Sequence, residues 1–294
     1  MRLFKVLIAA AVLVATAVPS AAQDKLKVVA SFSILGDFVK NIGGDRVEVT
    51  DLVGANGDAH VFEPSAADAR TVKAARLLVV NGLGFEGWLD RLIAASGSKP
   101  QVIVATRGMT PRASNGGNGR LDPHAWQSVA NAMIYVANIR DGLIAADPAG
   151  QAAYQANAAT YLARLAQLDR DIKAAIASIP ADRRRMITNH EAFGYFADTY
   201  GIDVVALQST STDAEPAARD MARIIGEIRR QKSGALFLEN MSNPALLKRI
   251  AEETGVTIGG TLYSDALTAT DGAAPTYIEM MQHNAREIVM ALAR

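Results

Sequence analysis

The chain has 294 residues, 30 lysines and arginines against 30 aspartates and glutamates, and no cysteine. Without thiols there are no disulfides, no thiolate ligands and no cysteine to carry a lipid, so imidazole and carboxylate are the only strong transition-metal donors. The charge balance argues against nucleic acid or an anionic membrane as the main partner.

Residues 1–22 read as a secretory signal. Arg2 and Lys5 give a positive start, residues 6–18 form an uninterrupted run of apolar and small side chains, and Ser20-Ala21-Ala22 offers small residues for cleavage. The run of about 13 residues is shorter than the roughly 20 a membrane span needs. Cleavage is expected after about Ala22, which leaves a soluble periplasmic protein. Losing Arg2 and Lys5 changes the balance to 28 basic against 30 acidic residues, a net charge near −2.

Strand-like segments follow at 27–30, 47–52, 76–81 and 101–105, separated by helix-like segments at 33–42, 64–75 and 85–95. This alternation predicts an α/β lobe with a mainly parallel sheet. Pro64 is expected in a first helical turn, where its missing N–H costs nothing. Residues 108–120 hold Pro111 and a Ser/Asn/Gly run with little to bury, and read as a flexible surface loop. A helix is expected over about 125–145. Asp147-Pro148 then opens another, capped by Asp147, that runs without Gly or Pro from 151 to 179. At 1.5 Å per residue, roughly 30 residues give a rod of about 45 Å, which either spans two lobes or lies on the face of one. Beyond Pro180 come strands at 186–188, 204–207, 235–238 and 257–262 and helices at 193–200, 216–232, 244–254 and 275–292. The fold class is α/β: two similar lobes, each a mainly parallel sheet flanked by helices, around one long helix. The expected division is a signal at 1–22, an N-terminal lobe at 23–146, a linker helix at 147–180 and a C-terminal lobe at 181–294.

Three of the four histidines fall where strand-like segments give way to helices: His60, His124 and His190. In open α/β sheets such loops form the ligand crevice at the carboxyl ends of the strands. Asp265 occupies the matching loop after the last strand. Spacing alone leaves open a metal site or ordinary caps and hydrogen-bond partners. His283, on the last predicted helix, reads as a surface residue.

The motif context is more specific. Gly57-Asp58-Ala59-His60-Val61-Phe62-Glu63-Pro64-Ser65, Leu121-Asp122-Pro123-His124-Ala125-Trp126, Asn189-His190-Glu191-Ala192-Phe193-Gly194-Tyr195-Phe196 and Ser211-Thr212-Asp213-Ala214-Glu215-Pro216 together resemble the zinc/manganese solute-binding protein family, the metal receptors of bacterial ABC importers. Asp147-Pro148 with Tyr154 and Asn157 looks like that family's linker helix, and the resemblance covers essentially the whole mature chain. It implies a rigid helix between two lobes and metal ligands at His60, His124, His190 and Asp265. It also implies high-affinity capture of a divalent ion, Zn2+ or else Mn2+, as transported ligand, and delivery to a membrane permease. The protein would be a monomer that meets the inner membrane only through that permease, with no nucleic acid partner and no enzymatic activity. Two departures stand out. Ala59 replaces the usual proline before the first histidine. The stretch before His124 is short and free of histidine, where many zinc-specialised members carry a His- and acid-rich insertion.

Three imidazoles and one carboxylate suit four-coordinate zinc, whereas a bidentate Asp265 would suit manganese or iron(II). Family members with glutamate at the third position lean towards manganese, so His190 favours zinc. Asp58, Glu63, Asp122, Glu191 and Glu239 are candidates to orient the rings, Glu239 foremost because it ends an apolar strand. Trp126 and Tyr195 either wall the cleft or pack in the core. Binding should weaken as pH falls through about 6.5. The rival readings are a zinc-dependent hydrolase, with Asp265 or Glu63 as base, a metal-binding adhesin, and a binder of organic solutes.

Overall fold

The computed structural model describes residues 24–115, 119–213, 218–231 and 234–293, so the signal segment and its cleavage point lie outside the described residues. The first sheet holds β1 (Leu26–Phe32), β2 (Val47–Val53), β3 (Leu77–Val80) and β4 (Gln101–Val104), in the order β2-β1-β3-β4, all parallel. The second holds β5 (Arg185–Thr188), β6 (Asp203–Ala206), β7 (Ala235–Glu239) and β8 (Ile258–Leu262), in the equivalent order β6-β5-β7-β8. Inner strand β3 is buried at all four positions, as a parallel strand covered on both faces must be; edge strand β4 is partly exposed. In both sheets the chain leaves the first strand to one side and then crosses to the other. Each lobe therefore has a switch point at its carboxyl edge.

The helices are α1 (Ser33–Gly43), α2 (Ala66–Ala74), α3 (Leu89–Ser96), α4 (Val129–Ala146), α5 (Gln151–Ala177), α6 (Gly194–Tyr200), α7 (Ala218–Gln231), α8 (Ala245–Thr254) and α9 (Tyr277–Leu292). None among the described residues is long and apolar enough to cross a membrane. Helices α3 and α4 start about four residues later than expected, and two helix starts are capped differently from expectation. Helix α2 begins after Ser65, whose hydroxyl accepts from Ala67 and Asp68 N–H while Asp68 accepts the Ser65 N–H at 2.7 Å. This capping box satisfies two donors, so Pro64 stays outside the helix. Asp147 likewise does not cap α5: Pro148–Gly150 form a 3-10 turn, and the Asp147 carboxylate instead receives Arg46 at 2.7 Å and Tyr154 Oη at 2.8 Å.

Helix α5 spans both lobes. Its buried stripe runs Tyr154, Ala158, Tyr161, Leu165, Leu168, Ile172 and Ile176, one per turn. Its first half meets α1 through Tyr161 Oη to Asp37 and Asn157 Nδ2 to the Ile42 carbonyl, and its second half receives Tyr200 Oη of α6 at Asp169. At 1.5 Å per residue its 27 residues make a rod of about 40 Å. Helix α9 returns to the first lobe, where Asp37 accepts the Tyr277 N–H at 3.0 Å and Tyr277 Oη donates to the Trp126 carbonyl at 2.6 Å. One hydrophobic core therefore runs continuously from Val29 and Phe38 to Phe237 and Leu262. A smaller cluster around Leu236, Leu247 and Ile250 lies under α7 and α8.

Asp37 is the carboxylate on which α1, α5 and α9 meet. Removing it in Asp37→Ala strands the buried Tyr277 N–H, a cost of about 1–3 kcal/mol. The metal-free protein should then melt roughly 3–10 °C lower. An unchanged melting curve would show that the junction contributes nothing.

Candidate metal centre

Each of the four candidate ligands leaves the carboxyl edge of its sheet. His60 lies between β2 and α2, His124 just before the short 3-10 turn Ala125–Gln127, His190 just after β5 and Asp265 just after β8. The structure brings them together: one donor atom from each lies within 4.8 Å of all the others. His60 Nε2 is 3.2 Å from His124 Nε2 and 3.2 Å from Asp265 Oδ2. His190 Nε2 is 3.0 Å from Asp265 Oδ2, and His124 Nε2 is 3.6 Å from Asp265 Oδ1. A tetrahedral ion with bonds of 2.0–2.1 Å places its donors about 3.3 Å apart, the same scale. Both Asp265 oxygens and both His190 ring nitrogens are buried without a hydrogen bond of good geometry, with Nδ1 in ion-pair contact with Glu239 at 2.6 Å. Buried polar atoms normally find such partners, and a shared cation would satisfy the Asp265 oxygens and His190 Nε2 at once.

The remaining ring nitrogens distinguish the ligands. Asp122 Oδ1 sits 2.8 Å from His124 Nδ1 and also accepts the His124 backbone N–H. Glu239 Oε2 sits 2.6 Å from His190 Nδ1 and accepts Ser264 Oγ, while its Oε1 accepts the backbone N–H groups of Asn189 and His190. Glu239 thus ties the His190 loop to the residue before Asp265. Both carboxylates turn Nε2 of their ring towards the cluster. No such partner reaches His60 Nδ1 among the described residues; Asp58 instead accepts the His60 N–H and Thr212 Oγ1. Glu63 is exposed and lines a groove with Arg70 and Arg91, and Glu191 faces Arg112 and Ser114 instead of a ring.

Electrostatics follow from this packing. Burial works against a charge on His190, but Glu239 and Asp265 outweigh it and hold its imidazole well above the ordinary range. Burial would raise Asp265, yet the His190 and His124 rings hold its carboxyl well below the usual carboxylate range. His60 is pushed down, chiefly by burial and against the pull of Asp265. The metal-free cluster therefore stores a proton on His190 beside an ionised Asp265.

Several expectations need correction. The loop before His124 is not simply a flexible surface segment. Ala113 pairs with Leu121, while Ser114 Oγ and the Asn115 N–H bond to Glu191 of the other lobe; residues 116–118 lie outside the described residues. Trp126 is fully buried, its ring 5.3 Å from that of His124 and its Nε1 donating to the Ser264 carbonyl. Tyr195 is buried too, its hydroxyl accepting the Arg112 N–H and donating to the Asp122 carbonyl. Both belong to the packed shell, not to an open cleft wall. His283 is half-buried, edge-on to Tyr263, with Nε2 3.0 Å from the Thr261 carbonyl.

The sequence reading passed over Arg112. Its Nη1 lies 3.3 Å from Asp122 and 3.2 Å from Glu191, and its Nε bonds Asp198 at 2.9 Å. It clasps the carboxylate behind His124 to the lobe that carries His190. Gly194 leaves room for this clasp, since a Cβ there would stand 2.4 Å from Arg112 Nη1 and 2.5 Å from Asp122 Oδ2. An arginine in a glycine-rich loop carries no local signal of that role.

Residues 28–291 match the family described as zinc-uptake complex component A, periplasmic (ZnuA). The chain is 36% identical over 272 residues to the manganese-binding lipoprotein MntA of Halalkalibacterium halodurans, covering 92% of this chain and 90% of that one. It is 33% identical over 265 residues to the iron-binding protein YfeA of Yersinia pestis, covering 90% and 85%. Its fold is similar to that of the periplasmic zinc-binding protein TroA of Treponema pallidum, with a TM-score of 0.87, 29% identity, and coverage of 92% and 100%.

Proposed function

The chain belongs to the ZnuA family of periplasmic metal receptors, which are not enzymes, and from that premise we propose that it captures one Zn2+ ion between His60, His124, His190 and Asp265 and hands it to the permease of an ABC importer. The observation that carries this reading is the convergence of three Nε2 atoms on one buried carboxylate that has no hydrogen bond of its own. A set of three nitrogens and one carboxylate, with separations of 3.0 to 3.6 Å around His60 and Asp265, suits zinc, and zinc also binds such donors more tightly than manganese does. Four protein donors close the shell, whereas a zinc hydrolase needs an open position for water. A shared core and a helix common to both lobes favour modest lobe movement during capture. We place the protein in the periplasm after cleavage near Ala22, free of lipid because the chain has no cysteine, in contrast to the relative named a lipoprotein.

Manganese or iron(II) is the second reading, favoured by the facing of both Asp265 oxygens towards the rings, Oδ1 to His124 and Oδ2 to His60 and His190. A bidentate carboxylate there raises the coordination number beyond four. Calorimetric titration of metal-stripped protein with Zn2+, Mn2+ and Fe2+ separates the two. We expect one Zn2+ per chain, bound more tightly than Mn2+; tighter binding of Mn2+ would reverse the assignment.

Glu239→Gln keeps the shape behind His190 but removes the charge that raises its basicity. Zinc affinity should fall about 10–100-fold, read by competition with a chromophoric chelator. An affinity within twofold of the parent would remove Glu239 from the binding machinery.

A further inference from the structure

His60 lines a cavity that opens beside the cluster, about 480 Å³ in volume and bordered by Leu83, Phe85, Leu121 and Thr210. His60 also lacks the carboxylate partner at Nδ1 that holds His124 and His190. Two contacts from a single loop, residues 82–88, take its place. The Phe85 ring stands edge-on to His60 at 4.8 Å and reaches His124 at 6.0 Å, and Trp88 Nε1 donates to the carbonyl of Ala59.

That loop is held in an unusual backbone. Gly82, Leu83 and Gly84 have φ of 86°, 56° and 80°, a region that leucine rarely occupies. Glu86 secures it. The buried Glu86 carboxylate accepts Ser31 Oγ at 2.7 Å and the N–H groups of Asn81 at 2.6 Å and Gly82 at 3.1 Å. Asn81 passes the constraint on, because its Nδ2 donates to the carbonyl of Pro123, the residue before His124. Such a lone acid in the apolar, glycine-rich run Asn81-Gly82-Leu83-Gly84-Phe85-Glu86-Gly87-Trp88 has no solvent role to play.

We infer that Glu86 is a positioning residue for His60, acting through Phe85, and that the ion enters and leaves over His60 through this cavity. The inference rests on the proposed ligand set. With Glu86 in place the loop keeps Phe85 against the ring and the ion is retained; when the loop moves, His60 is the ligand free to swing towards the cavity. His124 and His190 stay clamped by Asp122 and Glu239.

Stopped-flow transfer of Zn2+ from loaded protein to excess chelator tests this, with association measured separately and folding checked by circular dichroism of the metal-free form. Phe85→Ala and Glu86→Gln should each raise the dissociation rate about 10–100-fold while association changes less than threefold. Phe85→Leu, which keeps the volume, should lie between them and the parent, and it serves if Phe85→Ala does not fold. A merely structural role would lower the melting temperature and leave the dissociation rate of folded, loaded protein unmoved. Dissociation rates within twofold of the parent in folded Glu86→Gln and Phe85→Leu overturn the inference. Parent-like Zn2+ binding in His190→Ala and Asp265→Ala would instead overturn the ligand set beneath it.

Discussion

With the proposed ligand set, Asp265→Ala should weaken zinc binding by roughly two to three and a half orders of magnitude, the largest loss expected from any single substitution in this protein. Asp265 is the only anion among the four donors, and its side chain is fully buried. Its removal leaves a dication facing three neutral rings. Stripping one partner from a buried charge pair costs about 3–5 kcal/mol, which converts to that range of dissociation constants. Asp265→Asn separates charge from shape: the amide keeps one oxygen donor at nearly the same volume, so any affinity it recovers over alanine measures the donor atom alone. The same variants report through stability, because a ligand bound only by the folded state raises its melting temperature. The parent should melt several degrees higher with zinc, whereas Asp265→Ala should gain almost nothing. An alanine variant that binds zinc within tenfold of the parent would falsify the ligand assignment.

Affinity for the proposed zinc ion should rise about tenfold per pH unit through neutrality, with one proton released per ion bound. A cluster of unperturbed imidazoles would level off above about 6.5. Here burial opposes the charge on His190, but Glu239 and Asp265 override it, so the proton persists above that value and must leave before Nε2 can bind metal. The pH dependence therefore extends above 6.5, up to the raised His190 value, in addition to the fall through 6.5 and below that the sequence suggests. Calorimetry at pH 7 in two buffers of different ionisation enthalpy reads the proton directly, and a count near zero contradicts the prediction. Glu239→Gln should lower that count, since it removes one of the two charges that hold the proton.

Stability of the metal-free protein moves the opposite way. His190 is raised on folding, so its contribution is fully present below 6.5 and is lost as pH climbs through the folded value. Asp265 is depressed on folding; its contribution is present above 3.8 and is lost as pH drops through the folded value. Melting curves of metal-free and zinc-loaded protein should thus diverge as pH rises above 6.5. The loaded form gains from tighter binding while the empty form loses its buried ion pair.

Much of this was legible in the order of the residues. The eight strands among the described residues stand close to where the sequence marks them, and the clearest are inner strands such as β3 and β7, because a parallel strand covered on both faces must be apolar and that requirement is local. The convergence of His60, His124, His190 and Asp265 was readable for a related reason. Strand ends feed loops, and a histidine in such a loop has a crevice to face. What could not be read was every contact whose two halves lie far apart in the chain. Asp37 meets Tyr277 across 240 positions, Arg112 meets Glu191 across 79 and Ser31 meets Glu86 across 55. No periodicity links such residues, so their pairing emerges only when the two sheets and the shared helix set the distances. Composition and pattern thus specify two α/β halves and nominate four donors. Packing alone chooses which carboxylate backs which ring, and among the described residues leaves His60 as the ring with no carboxylate at Nδ1.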